Sequence, residues 1–342
     1  MDRYGIATAG NFIVDRVKII DHWPAQDTLS RILSEQRGTG GGAYNSLCDL
    51  RNLGVELPLS AIGCLGPDAD GDWIRADLTV RGVNLDRLRV CPEAATSYTD
   101  VMTVQADGRR TFFHHLGASV ALGPADFADP PPARVLHLAY LLLLPGLDQR
   151  DRQFGSVGAR VLAGLRAAGL LTVLDIVSED SPRVAGIVGP ALAHTDCLVI
   201  NELEAGVLTG LTVRQPDGAA DPQQLRAAAA KLLEAGVKQM VAIHLPEGGY
   251  ARRADGAERF QPSLNLPPGY IQGAAGAGDA FAAGILYGLH ESWELGPMLE
   301  LAVATAAACL RHPTCAAGVG PLAETLGLIE TYGLRSWPAL PD

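Results

Sequence analysis

Short apolar runs punctuate the chain at 4–8, 58–62, 135–138, 171–175, 197–200 and 239–244, each of strand length. Between most of them, apolar positions recur at helical spacing, which predicts helices over 43–53, 71–81, 151–168, 202–209, 222–235, 277–290 and 297–310, several closed by glycine. Strand followed by helix, repeated, predicts a mostly parallel sheet.

Two stretches, 15–37 and 96–116, break this rhythm. In the second, Gln105-Ala106-Asp107-Gly108 separates TSYTDVMTV from RRTFFHH, a β-hairpin signal. Together they predict a small antiparallel sheet outside the main one. Set over the carboxyl ends of the parallel strands, where open α/β sheets bind ligands, it would act as a lid; the pattern fits an ordinary surface hairpin as well.

The composition narrows the function. With 27 Lys and Arg against 38 Asp and Glu, the net charge of −11 gives no field for a polyanion, so nucleic acid is not an expected partner. Six cysteines (Cys48, Cys64, Cys91, Cys197, Cys309, Cys315) contain no C-x-x-C pair, which argues against a zinc site or a disulfide framework and for a reducing cytoplasm. The start MDRYGIATAG lacks the pattern of an export signal, and the most apolar run is too short to span a membrane. No membrane association is expected.

The chemistry concentrates in Ile271-Gln-Gly-Ala-Ala-Gly-Ala-Gly-Asp-Ala-Phe-Ala-Ala-Gly284, a glycine-rich turn entering an apolar helix. Small residues at Gly276, Ala277 and Gly278 let backbone N–H groups approach a ligand, and the helix start favours phosphate oxygens there. Asp279 stands beside that anion, kept ionised by the helix dipole, as a candidate general base for an attacking hydroxyl. Read alone, the same residues also describe an ordinary helix N-terminus with a favourable acid.

A second segment, Gly38-Thr-Gly-Gly-Gly-Ala-Tyr-Asn-Ser-Leu-Cys-Asp-Leu-Arg-Asn-Leu-Gly54, gives the first its company. Paired glycines, an asparagine four residues on and a helix ending in Leu-Gly (Gly40, Gly41, Asn45, Leu53, Gly54), followed late in the chain by Gly-Ala-Gly-Asp, make the sequence resemble the PfkB-type, ribokinase-like carbohydrate kinases. Asp15, the G-x-D-x-x-G of Gly66, Asp68 and Gly71, and the N-x-x-E of Asn201 and Glu204 extend the resemblance over nearly the whole chain.

The resemblance implies a single ribokinase-like domain over 1–335, a Rossmann-type three-layer αβα sandwich with a mostly parallel sheet and a small β-sheet lid formed by 15–37 and 96–116. It implies an ATP-dependent kinase acting on a sugar or related polyol, with Asp279 as base and the amides of Gly276, Ala277 and Gly278 as anion hole. Asp15, Gly40, Gly41 and Asn45 would hold substrate hydroxyls. Asn201 and Glu204 would organise Mg²⁺ beside ATP; the same pair also reads as a helix capping box.

Two departures qualify it. The family's Asp-Thr-Thr before Gly-Ala-Gly-Asp is Gly273-Ala274-Ala275 here, which removes the carboxylate that helps bind a monovalent cation, so K⁺ dependence is not expected. The family's Thr-x-Gly-x-x-Gly nucleotide segment is His244-Leu-Pro-Glu-Gly-Gly249; Pro246 removes an N–H and fixes φ, leaving His244 and Gly249 as the nucleotide-side candidates. His244 either replaces the lost hydroxyl as a donor or is a satisfied strand-end histidine.

The rivals are a non-catalytic sugar or nucleoside binder on the same fold, and a nucleoside kinase. Gly38-x-Gly40-x-x-Ala43 formally matches a dinucleotide fingerprint, but the preceding segment is too polar for a buried first strand and no acidic residue lies near position 60. None of the three lysines completes a P-loop. His114 and His115, adjacent on a strand, point to opposite faces and cannot easily chelate one ion; one faces the substrate, the other solvent or a partner. The exposed edges of a lid sheet suggest a homodimer through the lid.

Overall fold

A computed structural model describes residues 3–106, 108–179, 181–215 and 217–337. Asp107 of the predicted hairpin turn lies outside the described residues. The first half of the chain runs β1 (Ile6–Ala9), β2 (Ile13–Ile20), β3 (Ile32–Gly40), α1 (Gly42–Asn52), β4 (Leu59–Leu65), α2 (Ala69–Val80), β5 (Asn84–Val90), β6 (Ser97–Val104), β7 (Arg110–His115) and β8 (Val135–Leu141). After it come β9 (Arg150–Asp151), β10 (Gly155–Ser156), α3 (Val157–Ala167), β11 (Leu171–Ile176), α4 (Arg183–Leu192), β12 (Cys197–Asn201), α5 (Glu202–Thr209) and α6 (Pro222–Glu234). The chain closes with β13 (Met240–Leu245), β14 (Gly248–Arg253), β15 (Glu258–Pro262), α7 (Ala277–His290), α8 (Leu295–Cys309) and α9 (Leu322–Tyr332).

Among the described residues the main sheet has nine strands in the order β15-β14-β13-β12-β11-β8-β1-β4-β5. From β13 to β5 all neighbours are parallel, and β14 and β15 add an antiparallel edge. Strands buried on both faces read as continuous apolar runs, which is why the central ones stand out in the sequence. One face packs on α1, α2, α7, α8 and α9 through residues such as Leu47, Phe281 and Leu299; the other packs on α3, α4, α5 and α6 through Leu162, Val188, Ala205 and Leu232. This is the αβα sandwich the resemblance implies.

The second sheet, β3-β2-β6-β7, is the predicted lid. Its outer pairs are antiparallel, but its central pair β2 and β6 runs parallel, in register from Ile13 with Ser97 to Ile20 with Val104, so the sheet is mixed. The two strands enter the lid from the same side of the core, and that fixes their common direction.

Several boundaries differ from the pattern for identifiable reasons. The helix expected from 151 begins at Val157, because Asp151 accepts hydrogen bonds from the N–H groups of Gln153 and Phe154 and turns the chain, leaving Ser156 to cap the helix. Helix α4 escaped the pattern because Pro182 and Pro190 read as breakers, yet Pro182 sits at the cap and Pro190 is tolerated inside. Strands β14 and β15 are short and begin with glycine or charge, so they carry no apolar run.

The motif Gly66-x-Asp68-x-x-Gly71 ties the lid to the core. Asp68 caps α2 by accepting from the N–H of Gly71 (2.9 Å) and also accepts from the N–H and hydroxyl of Thr96 (both 2.7 Å), one residue before β6. These donors hold its carboxyl below the usual range. A Cβ on Gly66 would lie 2.4 Å from the Thr96 nitrogen, and one on Gly71 would lie 2.4 Å from the Gly66 oxygen, so both glycines are demanded by close backbone approach.

Candidate active site

A cleft of about 630 Å³ opens between the lid and the carboxyl ends of β8, β11, β12 and β13, which supply Tyr140, Asp175, Asn201 and His244. The floor is the start of α7. Gly276 caps that helix at φ 79°, where a Cβ would come within 2.6 Å of the Cβ of Cys315, so the left-handed turn needs glycine. No side chain caps the helix, and its first-turn amides keep their partial positive charge toward the cleft. A Cβ on Gly278 would meet the His244 ring at 3.0 Å, so this backbone also lies bare.

Asp279 is buried in the first turn, 2% exposed. Asn45 of α1 donates its amide to Oδ2 (2.8 Å), and the Tyr140 hydroxyl donates to Oδ1 (2.7 Å). Burial raises its pKa to about 6 against these two bonds. Burial therefore outweighs the favourable first-turn position, and the group still ionises near neutral pH. The carbonyl oxygen of the Asn45 side chain is buried without a partner, an acceptor that a hydroxyl of a bound ligand can satisfy.

Asp15 of β2 faces the same space, its pKa pushed up to about 7, first by burial and also by the charge of Asp279, against hydrogen bonds from Cys315 and Thr99. Gly40 lies against it: a Cβ there would be 2.3 Å from Asp15 Oδ1. Gly41, at φ 84°, lines the cleft with its own Cβ position blocked by the Asn11 carbonyl at 2.4 Å.

On the opposite side, Asn201 accepts from the N–H of Glu204 (2.8 Å) while Glu204 accepts from the N–H of Asn201 (2.9 Å), a capping box for α5. Both residues also line the cleft, so the cap does not exclude the metal reading. Ser178 bridges them, donating to Glu204 (2.6 Å) and accepting from the Asn201 amide (2.8 Å). Burial lifts Glu204 to about 7, and burial with the charges of Glu204 and Asp279 holds Asp175 well above the carboxylate range. Among the described residues no three His, Cys, Asp or Glu side chains converge on one ion position. Hard carboxylate and amide oxygens of this kind suit Mg²⁺, which keeps several waters and binds phosphates rather than needing a full protein cage.

His244 lines the cleft against Phe281, ring centroids 5.4 Å apart, and burial lowers its pKa to about 4, so it is neutral. Gly249, its cross-strand partner on β14, turns toward α7 instead: a Cβ there would meet the Phe281 ring at 2.5 Å. The structure does not bring Gly249 to the cleft lining, and its glycine is explained by packing. Gly40 and Ala277 likewise stand behind the lining residues.

Sequence reasoning did not single out Tyr140, Asp175, Arg110 or Cys315. Tyr140 and Asp175 stand at the carboxyl ends of predicted apolar strands, a position that marks ligand sites in open α/β sheets. Arg110, Phe112 and His114 follow at two-residue spacing and line the cleft together, while Phe113 on the alternate face stacks on Trp23 (6.1 Å) and His115 stacks on Tyr98 (5.1 Å). The two histidines thus separate as their adjacency predicts.

Residues 6–320 match the pfkB family of carbohydrate kinases. The chain belongs to this family. It is a phosphotransferase with an alcohol group as acceptor, and the kinases of this family use ATP and a divalent metal ion. The chain is 28% identical over 309 residues to a ribokinase of Arabidopsis thaliana (90% of this chain, 76% of that one). It is also 28% identical to an ATP-dependent ribose-1-phosphate kinase of Halopiger xanaduensis (89% and 90%). In fold it is similar to the Arabidopsis thaliana ribokinase solved with ribose and ATP (TM-score 0.78, 24% identity, 96% of this chain, 99% of that one) and to a nucleoside kinase of Methanocaldococcus jannaschii (TM-score 0.73, 17% identity, 97% and 100%). Among the described residues no helix is long and apolar enough to cross a membrane.

Proposed function

We propose that this carbohydrate kinase transfers the γ-phosphoryl group of ATP to a hydroxyl of a sugar or closely related polyol, with Asp279 taking the hydroxyl proton. The observation that carries the reading is the state of Asp279: buried at a helix start, oriented by Asn45 and Tyr140, with a pKa of about 6. A base poised just below neutral pH accepts a proton late in transfer and returns it to solvent. The first amides of α7 face the place where charge spreads over the transferred oxygens. Bound beside Glu204 and Asn201, Mg²⁺ would neutralise phosphate charge. Asp15, Gly41 and the unpartnered Asn45 oxygen position the acceptor, with Gly40 leaving room for Asp15. The two relatives named for ribose and ribose 1-phosphate support a pentose-sized acceptor.

The test is ADP release from Mg-ATP against sugars, sugar phosphates and nucleosides, with Asp279→Asn alongside. Acceptor-dependent turnover lost in the variant supports the reading. Ligand-induced stabilisation without turnover would instead favour a binder.

The lid leaves Trp23, Ile32, Leu33 and Phe113 exposed beside its free edges β3 and β7. We propose that two copies pair through this surface, burying it. Light scattering at micromolar concentration should give twice the chain mass of 35.9 kDa, falling to the single mass on replacing Trp23 and Phe113 by serine. All six cysteines are free and buried, which suits a reducing cytoplasm.

A further inference from the structure

The cleft is rich in carboxyls, with Asp15, Asp175, Glu204 and Asp279 on its wall, and the lid places a single guanidinium, that of Arg110, among the cleft-lining residues described. Nearly every other arginine has a place. Arg16 is paired with Asp70, Arg183 with Glu179 and Arg214 with Glu202. Arg110, half-buried at the start of β7, makes no hydrogen bond or ion pair among the described residues, and its guanidinium stands 5.8 Å from the centre of the Phe112 ring.

The location of this cation within the cleft is informative. Its charge acts on Asp15, on the acceptor side of the cleft, and on the Cys309 thiol. Further along the same face of β7, beyond Phe112, His114 shares a hydrogen bond between Nδ1 and the Thr99 hydroxyl (3.0 Å), while its Nε2 is buried with no partner. The guanidinium offers a fork of donors to planar or tetrahedral oxyanions, while Nε2, the acceptor nitrogen of a neutral imidazole whose Nδ1 donates to Thr99, can take a hydroxyl of the same ligand.

We propose, resting on the kinase reading above, that the acceptor carries an anionic oxygen group, a phosphate ester or a carboxylate, and that Arg110 binds it. A neutral polyol would leave the guanidinium without an anion on its fork. An anion that binds it reaches down from the lid, while the hydroxyl it directs meets Asp279 on the floor.

The experiment compares wild type, Arg110→Gln and Arg110→Lys on pentose and hexose monophosphates, aldonates and the matched neutral sugars. Kinetics and thermal shifts without ATP are both read. The expected result is that one anionic class has kcat/KM at least about tenfold above its neutral counterparts, and that Arg110→Gln raises its KM about 10–100-fold with kcat little changed and Arg110→Lys intermediate. Whether phosphates or aldonates respond identifies the anion. Neutral sugars preferred by wild type, an unchanged KM in Arg110→Gln, or an equal kcat loss on every acceptor would each overturn the proposal, the last by placing Arg110 on the transferred group. If no acceptor releases ADP, the kinase reading fails by itself. A thermal shift by anionic sugars that Arg110→Gln abolishes would still uphold the anion site, and no such shift would overturn it. Unliganded melting temperatures of the variants verify that the lid stays folded.

Discussion

Asp279 on the floor and Arg110 on the lid line the same cleft under opposite conditions. Asp279 is 2% exposed, held by two donors from two elements, and set on a helix whose glycines allow no Cβ. Arg110 stands on a free edge strand with no polar partner among the described residues. The floor is fixed by packing, so its chemistry is the same whatever binds. The lid is tied to the core near its base, by Asp68 with Thr96 and by Arg16 with Asp70, while its edge strand β7 is free on one side, so the side chains there are free to differ with the acceptor. On the readings proposed above, phosphoryl transfer and acceptor choice would reside in different layers, and floor substitutions are expected to act on kcat and lid substitutions on KM.

The largest effect should come from the centre of the floor. Asp279→Asn keeps the size and both neighbours but cannot accept the proton, so kcat should fall about 10²–10⁴-fold with KM little altered. A melting temperature at or above that of wild type would show that the loss is chemical. A variant with near-normal kcat would remove Asp279 as base.

Gly40 tests the seam between the layers, because it ends lid strand β3 and touches Asp15. A methyl group in Gly40→Ala would stand 2.3 Å from Asp15 Oδ1 and must push that carboxylate out of place. Displacement of this order should raise the acceptor KM on the order of 10–100-fold and change kcat less. An equal fall in kcat would mean that Asp15 also serves transfer, and the division between layers would be weaker than drawn.

The floor itself can be tuned through Tyr140. Its hydroxyl donates to the Asp279 carboxylate and so favours the ionised form; removing it in Tyr140→Phe moves the Asp279 pKa up from about 6. Since the protonated acid cannot act as base, activity in wild type should fall as pH drops through about 6, and in the variant that fall should begin at higher pH. A several-fold loss at pH 6 with most activity kept at pH 8 is expected. Profiles that superimpose would show that another group sets the acid limb.

The legibility of the two layers in the sequence also differed. Helices α5 and α7 fall on their predicted bounds, because each has a sharp start, Asn201 with its capping partner Glu204 and the left-handed Gly276. Strands β8, β11, β12 and β13 are apolar on both sides and announce themselves. The floor residues Asn45 and Asp279 carry their signal in fixed spacing from glycine. Tyr140 carried only its place at the end of an apolar strand, since its reach to Asp279 depends on a backbone turn at φ 63° that nothing in the apolar run 136–144 reveals. Gly249 misled for the converse reason: a glycine that admits an aromatic ring from α7 looks the same in sequence as one that admits a phosphate. On the lid, alternation separated His114 from His115, but the parallel pairing of β2 and β6 is a long-range fact with no local pattern.

The smallest effect expected is an absence of one, and it concerns the turn before the floor. Gly273 occupies the position of the family's aspartate, and a Cβ there would lie 2.9 Å from the Pro313 Cα and 3.0 Å from the His312 carbonyl oxygen. The segment at 312–313 therefore fills the space where a carboxylate would stand. Beside it, Ala274 and Ala275 present methyl groups to the cleft, and the Ala275 carbonyl accepts from the Cys309 thiol at 3.4 Å. A monovalent cation needs several converging oxygens, and this turn has given up a carboxylate and two hydroxyls. Turnover should be the same in K⁺, Na⁺ and choline at equal ionic strength. The proposed anion hole should survive the exchange, because it would be made of backbone held by Gly276 and the Cys315 packing. Strong stimulation by K⁺ alone would mean that carbonyl oxygens suffice for the cation, and that the floor is less rigid than its glycines require.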